Sequence, residues 1–145
     1  MPTIEESLVS FLKADVMLTG LIGGRIYPEE APQNAGWPHI TYQIISYPQK
    51  FHLAGPSGLA SPRIQIDCWA KGSTGKKDVV AIAEAVRNAK GPGVQKLDGF
   101  TGLMYGVRVQ RVNLEDRRYS SEPPVHANED PFRRASLDFT FWFDE

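Results

Sequence analysis

Along residues 135–143 one phase of the chain is apolar at every second position: Ala135, Leu137, Phe139, Phe141 and Phe143. The other phase carries Ser136, Asp138 and Thr140, with Asp144 continuing it. A helix would scatter the three phenylalanines around its axis, whereas a strand puts them all on one side of a sheet. This stretch therefore predicts a half-buried strand, and a strand needs partners. The run 63–70 supplies one, with Ile64, Ile66 and Cys68 facing one way and Arg63, Gln65, Asp67 and Trp69 the other. The Gly/Pro/Ser segment before it, 55–62, fits neither helix nor strand and reads as a loop.

Two further runs have strand character. In 40–47, Ile40, Tyr42 and Ile44 alternate with Thr41 and Gln43, while Ile45 interrupts the polar phase and points to cover on both sides. The run 103–115 supplies the fourth strand. A short extended piece, Arg25-Ile26-Tyr27, stops at Pro28, and the proline-bearing segment 29–38 reads as loop. Two longer loops are expected, 49–62 and 116–131, and the second is too long for a tight turn.

Helices account for the rest. Thr3-Ile4-Glu5-Glu6 is a capping box, followed by Ile4, Leu8, Phe11 and Leu12 on one face. Asp15 can cap a further turn through Leu18, which Gly20, Gly23 and Gly24 end. The run 73–90 predicts another helix with an apolar stripe of Val79, Ile82, Ala83 and Val86, stopped by Gly91-Pro92-Gly93. Together these elements predict a single α+β domain: an antiparallel sheet of about four main strands, with helices packed on one face.

Composition excludes several functions. At 145 residues and 41% hydrophobic, the chain can bury one core without staples. A formal net charge of −1 and the lack of any basic block argue against electrostatic recognition of nucleic acid. No apolar run is long enough to span a bilayer. The lone Cys68 suits a reducing compartment.

No arrangement of residues carries chemistry. Gly72-Ser73-Thr74-Gly75-Lys76-Lys77 sits where a phosphate-binding loop would, between strand and helix. However, it lacks the upstream glycine, and Lys77 replaces the hydroxyl residue that would hold magnesium. A helix cap with a flexible lead-in explains it. His39, His52 and His126 lie far apart, without metal-ligand spacing, and read as solvent-facing or loop residues. Asp67 and Asp138, on the outward phases of two strands, form a carboxylate pair or are solvated and paired with arginines such as Arg63 and Arg108. No catalytic, cofactor or metal residue is predicted.

The outward phases do carry an interface signal. Arg63, Trp69, Arg108 and Trp142 share them, and tryptophan and arginine are enriched where proteins bind each other. The competing reading is that a helix covers part of this face. Phe51, His52 and Leu53 place an apolar cluster at the start of a loop, where a solvated hairpin has no use for it. Arg117-Arg118 and Arg133-Arg134 add a weak basic signal, diluted by Glu115, Asp116, Glu129 and Asp130, for which a solvated rim is the competing account.

Read in order, these segments resemble the small proteins that terminate or complete the tail tube of long-tailed bacteriophages and prophages. The resemblance runs through Leu18-Thr19-Gly20-Leu21-Ile22-Gly23-Gly24-Arg25-Ile26-Tyr27-Pro28, Pro38-His39-Ile40-Thr41-Tyr42-Gln43 and the Gly-Pro-Ser-Gly-Leu-Ala segment. It continues through Arg63-Ile64-Gln65-Ile66-Asp67-Cys68-Trp69-Ala70, Ala81-Ile82-Ala83-Glu84-Ala85-Val86-Arg87 and Ser136-Leu137-Asp138-Phe139-Thr140-Phe141-Trp142. The segment 116–131 departs from that pattern in being longer and richer in proline. The resemblance implies a non-enzymatic virion protein of the tail-neck region, assembled in the host cytoplasm. It further implies a homo-oligomeric ring, a hexamer, that caps the tail tube and is joined by the head connector. Its partners would be itself, the major tail tube protein and the connector, with neither nucleic acid nor membrane bound directly. Another neck or head-completion adaptor, or a small-molecule-binding α+β domain, are the alternatives.

Overall fold

Thr3 caps the first helix, α1 (Ile4–Ala14), as the sequence predicts. Its hydroxyl accepts from the Glu6 amide at 3.1 Å, and the Glu6 carboxylate accepts from the Thr3 amide at 2.9 Å. Asp15 then does two things. One carboxylate oxygen caps α2 (Val16–Ile22) by accepting from Leu18 N–H, and the other accepts from Lys90 N–H, past the end of the third helix. Gly23 ends α2 in the left-handed region at φ 62°, where a β-carbon would also meet the Arg25 guanidinium at 2.9 Å.

In this computed structural model residues 3–49, 51–52, 55–56, 58–90, 94–122 and 131–144 are described. The strands are β1 (Ile26–Pro28), β2 (His39–Ser46), β3 (Phe51–His52), β4 (Gly55–Pro56), β5 (Leu59–Ala60), β6 (Arg63–Lys71), β7 (Gly102–Met104), β8 (Val107–Glu122) and β9 (Phe132–Asp144). The third helix, α3 (Gly75–Arg87), lies between β6 and β7. The main sheet has the order β1-β2-β6-β9-β8-β7, with β5 added beside the end of β9. The small β3–β4 pair stands apart from it.

The strand phases are those predicted. Ile64, Ile66, Phe139 and Phe141 are fully buried, together with Val79, Ile82 and Val86 from α3 and Leu8, Phe11 and Leu12 from α1. Three features differ. First, the sheet has seven strands rather than about four, and β1 runs parallel to β2, so the sheet is mixed. Second, the run 103–115 is not one strand. The chain reverses at Tyr105 (φ 42°) and Gly106 (φ 91°), making a hairpin of β7 and β8. Positive φ at both central residues is the tight hairpin geometry, and tyrosine hides that signal because it so rarely adopts it. Third, residues 116–122 are strand rather than loop, since β8 continues through Glu122 with bulges near residues 110 and 115. There β8 runs exposed on both faces from Glu115 to Ser121, so no apolar alternation marks it.

Smaller corrections follow the same logic. The helix predicted over 73–90 is shorter, and Thr74 bonds the Asp78 carboxylate rather than the helix backbone. The segment 49–62 is not all loop: it holds β3, β4 and β5, and Leu59 and Ala60 pair with Asp144 and Phe143. Ile45 is exposed, so β2 is not covered on both sides there. The expected helix stop at residues 91–93 lies outside the described residues.

Candidate interface on the outward face of the sheet

With both apolar helix stripes buried against one face, the other face is built from the polar phases of β2, β6, β9 and β8. Its centre is Asp138, whose side chain is 4% exposed. Arg118, on β8, donates to it twice, at 2.9 and 3.1 Å, and Arg63, on β6, donates once at 3.0 Å. Arg118 also reaches Asp116. Burial works against the charged form of Asp138, but the bonds and charges of Arg118 and Arg63 outweigh it and hold the carboxyl below its ordinary range. In turn the hydrogen bonds to Asp138 and Asp116, with their charges, push the Arg118 guanidinium up.

Asp67 is not paired with Asp138. It sits opposite Ser136, whose hydroxyl donates to it at 2.6 Å, and Gln65 donates to both its oxygens. The expected arginine partners are half right: Arg63 and Arg118 serve Asp138, and Arg108 does not take part. These bonds engage both carboxylates of the sheet centre, while Arg63 Nε is buried without an acceptor.

Toward β1 the face becomes aromatic. Trp37 stacks on Phe132 with centroids 5.0 Å apart, and His39 lies 4.5 Å from Trp37 and 6.4 Å from Trp69. The Trp69 indole donates to the Thr41 hydroxyl at 3.0 Å, and the Arg134 guanidinium lies over its ring. Lys71 lies over Trp37 in the same way. Contrary to expectation, His39 is neither solvent-facing nor in a loop: it is buried on β2, with Nδ1 3.1 Å from the Gly36 carbonyl. Burial lowers its pKa, the Gly36 bond opposes this, and the Arg25 charge adds to the lowering. The imidazole is therefore neutral at pH 7 and donates from Nδ1.

The predicted interface residues end up in several places. Arg63, Arg118 and Trp69 share the outward face. Trp142, opposite Arg111, lines a shallow hollow with Leu59, Gln110 and Asp144. Arg108 stands on the β7–β8 hairpin opposite Leu103, at the far end of the sheet. Arg117 points to the inward side and bonds Glu84 of α3 at 2.8 Å, because the bulge before Asp116 resets the alternation. Phe51 and His52 lie in β3, and Leu53 and His126 are outside the described residues.

Sequence reasoning missed Trp37, Phe132 and the structural part played by His39. Phe132 was within reach: extending the outward phase of 135–143 back through Arg134 leads to it. Trp37 had no such signal, since it arrives from a loop through a cis Trp37–Pro38 bond.

Among the described residues no cluster of three His, Cys, Asp or Glu side chains is placed to hold a metal, and no helix is long and apolar enough to cross a membrane. Burial, helped by the Asp67 charge, pushes the Cys68 thiol far up, so it is inert at neutral pH.

A polar, arginine-bearing sheet face beside an aromatic cleft has the residue types enriched where proteins bind each other. The chain matches the model of the tail completion protein gp17 family over residues 6–144, and it belongs to that family. It is accordingly a structural protein of the phage virion tail, not an enzyme. Among solved structures it is similar to a chain from the virion of a native gene transfer agent particle. That match has a TM-score of 0.72 at 18% identity, covering 98% of this chain and 95% of the other. At that identity the likeness speaks for the fold. No curated protein matches the chain.

Proposed function

We propose that this protein is a tail terminator: six copies close into a ring on the finished tail tube, stop its growth and present a surface to the head connector. The observation that carries the reading is an aromatic and arginine-bearing outward sheet face on a chain of the tail completion family. A closed ring needs a heterologous contact, in which one patch meets a different patch on the neighbour. The molecule has distinct surfaces to offer at the two ends of its sheet, the cleft beside β1 and the hairpin of β7 and β8. Arg63, Trp69, Trp142 and Arg118 are assigned to contacts made through the outward face, and Phe51, His52 and Leu53 to a contact with a neighbouring subunit or the tail tube.

Deleting the gene in the producing phage or prophage tests the reading. Tails should become overlong and remain unjoined to heads, and expression in trans should restore both. Normal-length tails without heads would instead assign the protein to a later step in the neck.

A further inference from the structure

The cleft beside β1, of about 350 Å³, has an aromatic floor of Trp37, His39, Trp69 and Phe132. Its rim carries two exposed carboxylates, Glu29 and Glu30. Glu29 is held at φ 60°, a backbone conformation that costs a non-glycine residue energy and is kept where the surroundings demand it. Its amide is fastened to the Tyr42 carbonyl at 2.8 Å, so the rim is fixed to β2. Among the described residues neither glutamate has a cation within ion-pair distance. Two of the floor rings are already covered by the chain's own cations, Lys71 over Trp37 and Arg134 over Trp69, which leaves the rim carboxylates as the open sites for an incoming cation. An acidic rim over an aromatic floor fits a guanidinium or ammonium group.

The complementary surface lies at the opposite end of the same sheet. Arg108 and Arg111 are exposed on β8, and among the described residues neither has a carboxylate partner. Beside them Leu103 is 68% exposed, directly opposite Arg108, and Tyr105 is 38% exposed at the turn. This gives two acids without a cation partner over an aromatic hollow at one end, and two arginines without a carboxylate partner beside apolar side chains at the other, Arg111 donating to the Asn113 side-chain oxygen at 2.6 Å. Because the surfaces sit at opposite ends of the sheet order, one molecule can offer both at once, as a head-to-tail contact requires.

We infer that the β7–β8 hairpin of one copy docks in the Glu29/Glu30 cleft of the next. Arg108 and Arg111 meet the two carboxylates, and Leu103 lies against the aromatic floor. This rests on the ring reading above and names the contact that closes the ring.

Charge reversal tests it in the full-length chain. Glu29→Arg with Glu30→Arg, and separately Arg108→Glu with Arg111→Glu, should each lower ring formation about tenfold or more, read by sedimentation and negative-stain imaging. The 1:1 mixture of the two variants should recover rings, because reversed clefts then meet reversed hairpins and native clefts meet native hairpins. Such a ring alternates and closes only with an even number of subunits. Far-UV circular dichroism checks each fold; if a reversed variant does not fold, the Glu→Gln and Arg→Gln pairs replace it. Those neutral variants should weaken the ring and flatten its salt dependence, and an unchanged salt dependence overturns the inference. Rings from wild type and both reversed variants alike overturn the pairing and leave the ring standing, as do reversed variants that stay monomeric when mixed. A wild-type chain that forms no oligomer, alone or on tail tubes, overturns the ring reading together with this contact.

Discussion

Arg118 and Asp138 share two hydrogen bonds, at 2.9 and 3.1 Å, across the junction of β8 and β9. Because Arg63 reaches the same carboxylate from β6, one aspartate ties the three central strands together on the face that no helix stripe buries against. Asp138→Ala leaves two guanidinium groups side by side without their shared anion. Both arginines are nearly half exposed, which limits the cost, and the expected loss is about 1–3 kcal/mol. Urea denaturation measures it. An unchanged midpoint would mean that the network contributes nothing.

The lowered pKa values of His39 and Asp138 make stability fall on acidification. An unfolded chain protonates its imidazole near the ordinary value of 6.5, whereas the folded chain resists until lower pH. The unfolded state therefore binds more protons in that window. Stability is full above about pH 6.5 and declines as pH falls toward the folded value. Asp138 adds a second loss below its ordinary value of 3.8. Denaturation midpoints between pH 8 and 3 should show both steps, and His39→Gln should flatten the first. A rise in stability between pH 7 and 5 would contradict the burial of a neutral imidazole.

Phe139 is fully buried and stands opposite both Ile64 and Leu114. Phe139→Ala removes a ring from the core centre and should cost about 3–5 kcal/mol. Thermal melting reads this as a large drop in midpoint, and a loss near zero would contradict the strand phase.

Phe51 and Leu53 carry a prediction from sequence. Phe51→Asp with Leu53→Asp should leave the monomer folded if the two side chains serve a contact with a neighbouring subunit or the tail tube. Lysates carrying the variant should accumulate overlong or headless tails. Unfolding of the variant, or tails of normal length joined to heads, would contradict a contact role.

What could be read from the sequence tracks how each residue is buried. Where one face is dry and the other wet, as at Ile64, Ile66, Phe139 and Phe141, alternation announced both strand and phase. The Thr3 and Asp15 caps were equally legible, since each is a local bond between neighbours in sequence. Residues 117–121 were not, because a strand exposed on both faces has no apolar period. The hairpin turn at Tyr105 was hidden by a residue that seldom takes positive φ. On the outward face, Arg63 and Trp69 could be assigned by counting along β6. Arg117 could not, because the bulge near residue 115 moves it to the inward side, where it meets Glu84. Trp37 joins the aromatic cleft from a loop that only tertiary structure places.

The most direct test of the account is assembly of tail tubes from purified tube protein with and without this chain. Added during polymerisation, it should stop elongation and leave one ring at a single end of each tube, visible by electron microscopy. Tubes that reach the same lengths regardless, with no ring at either end, would contradict a terminator.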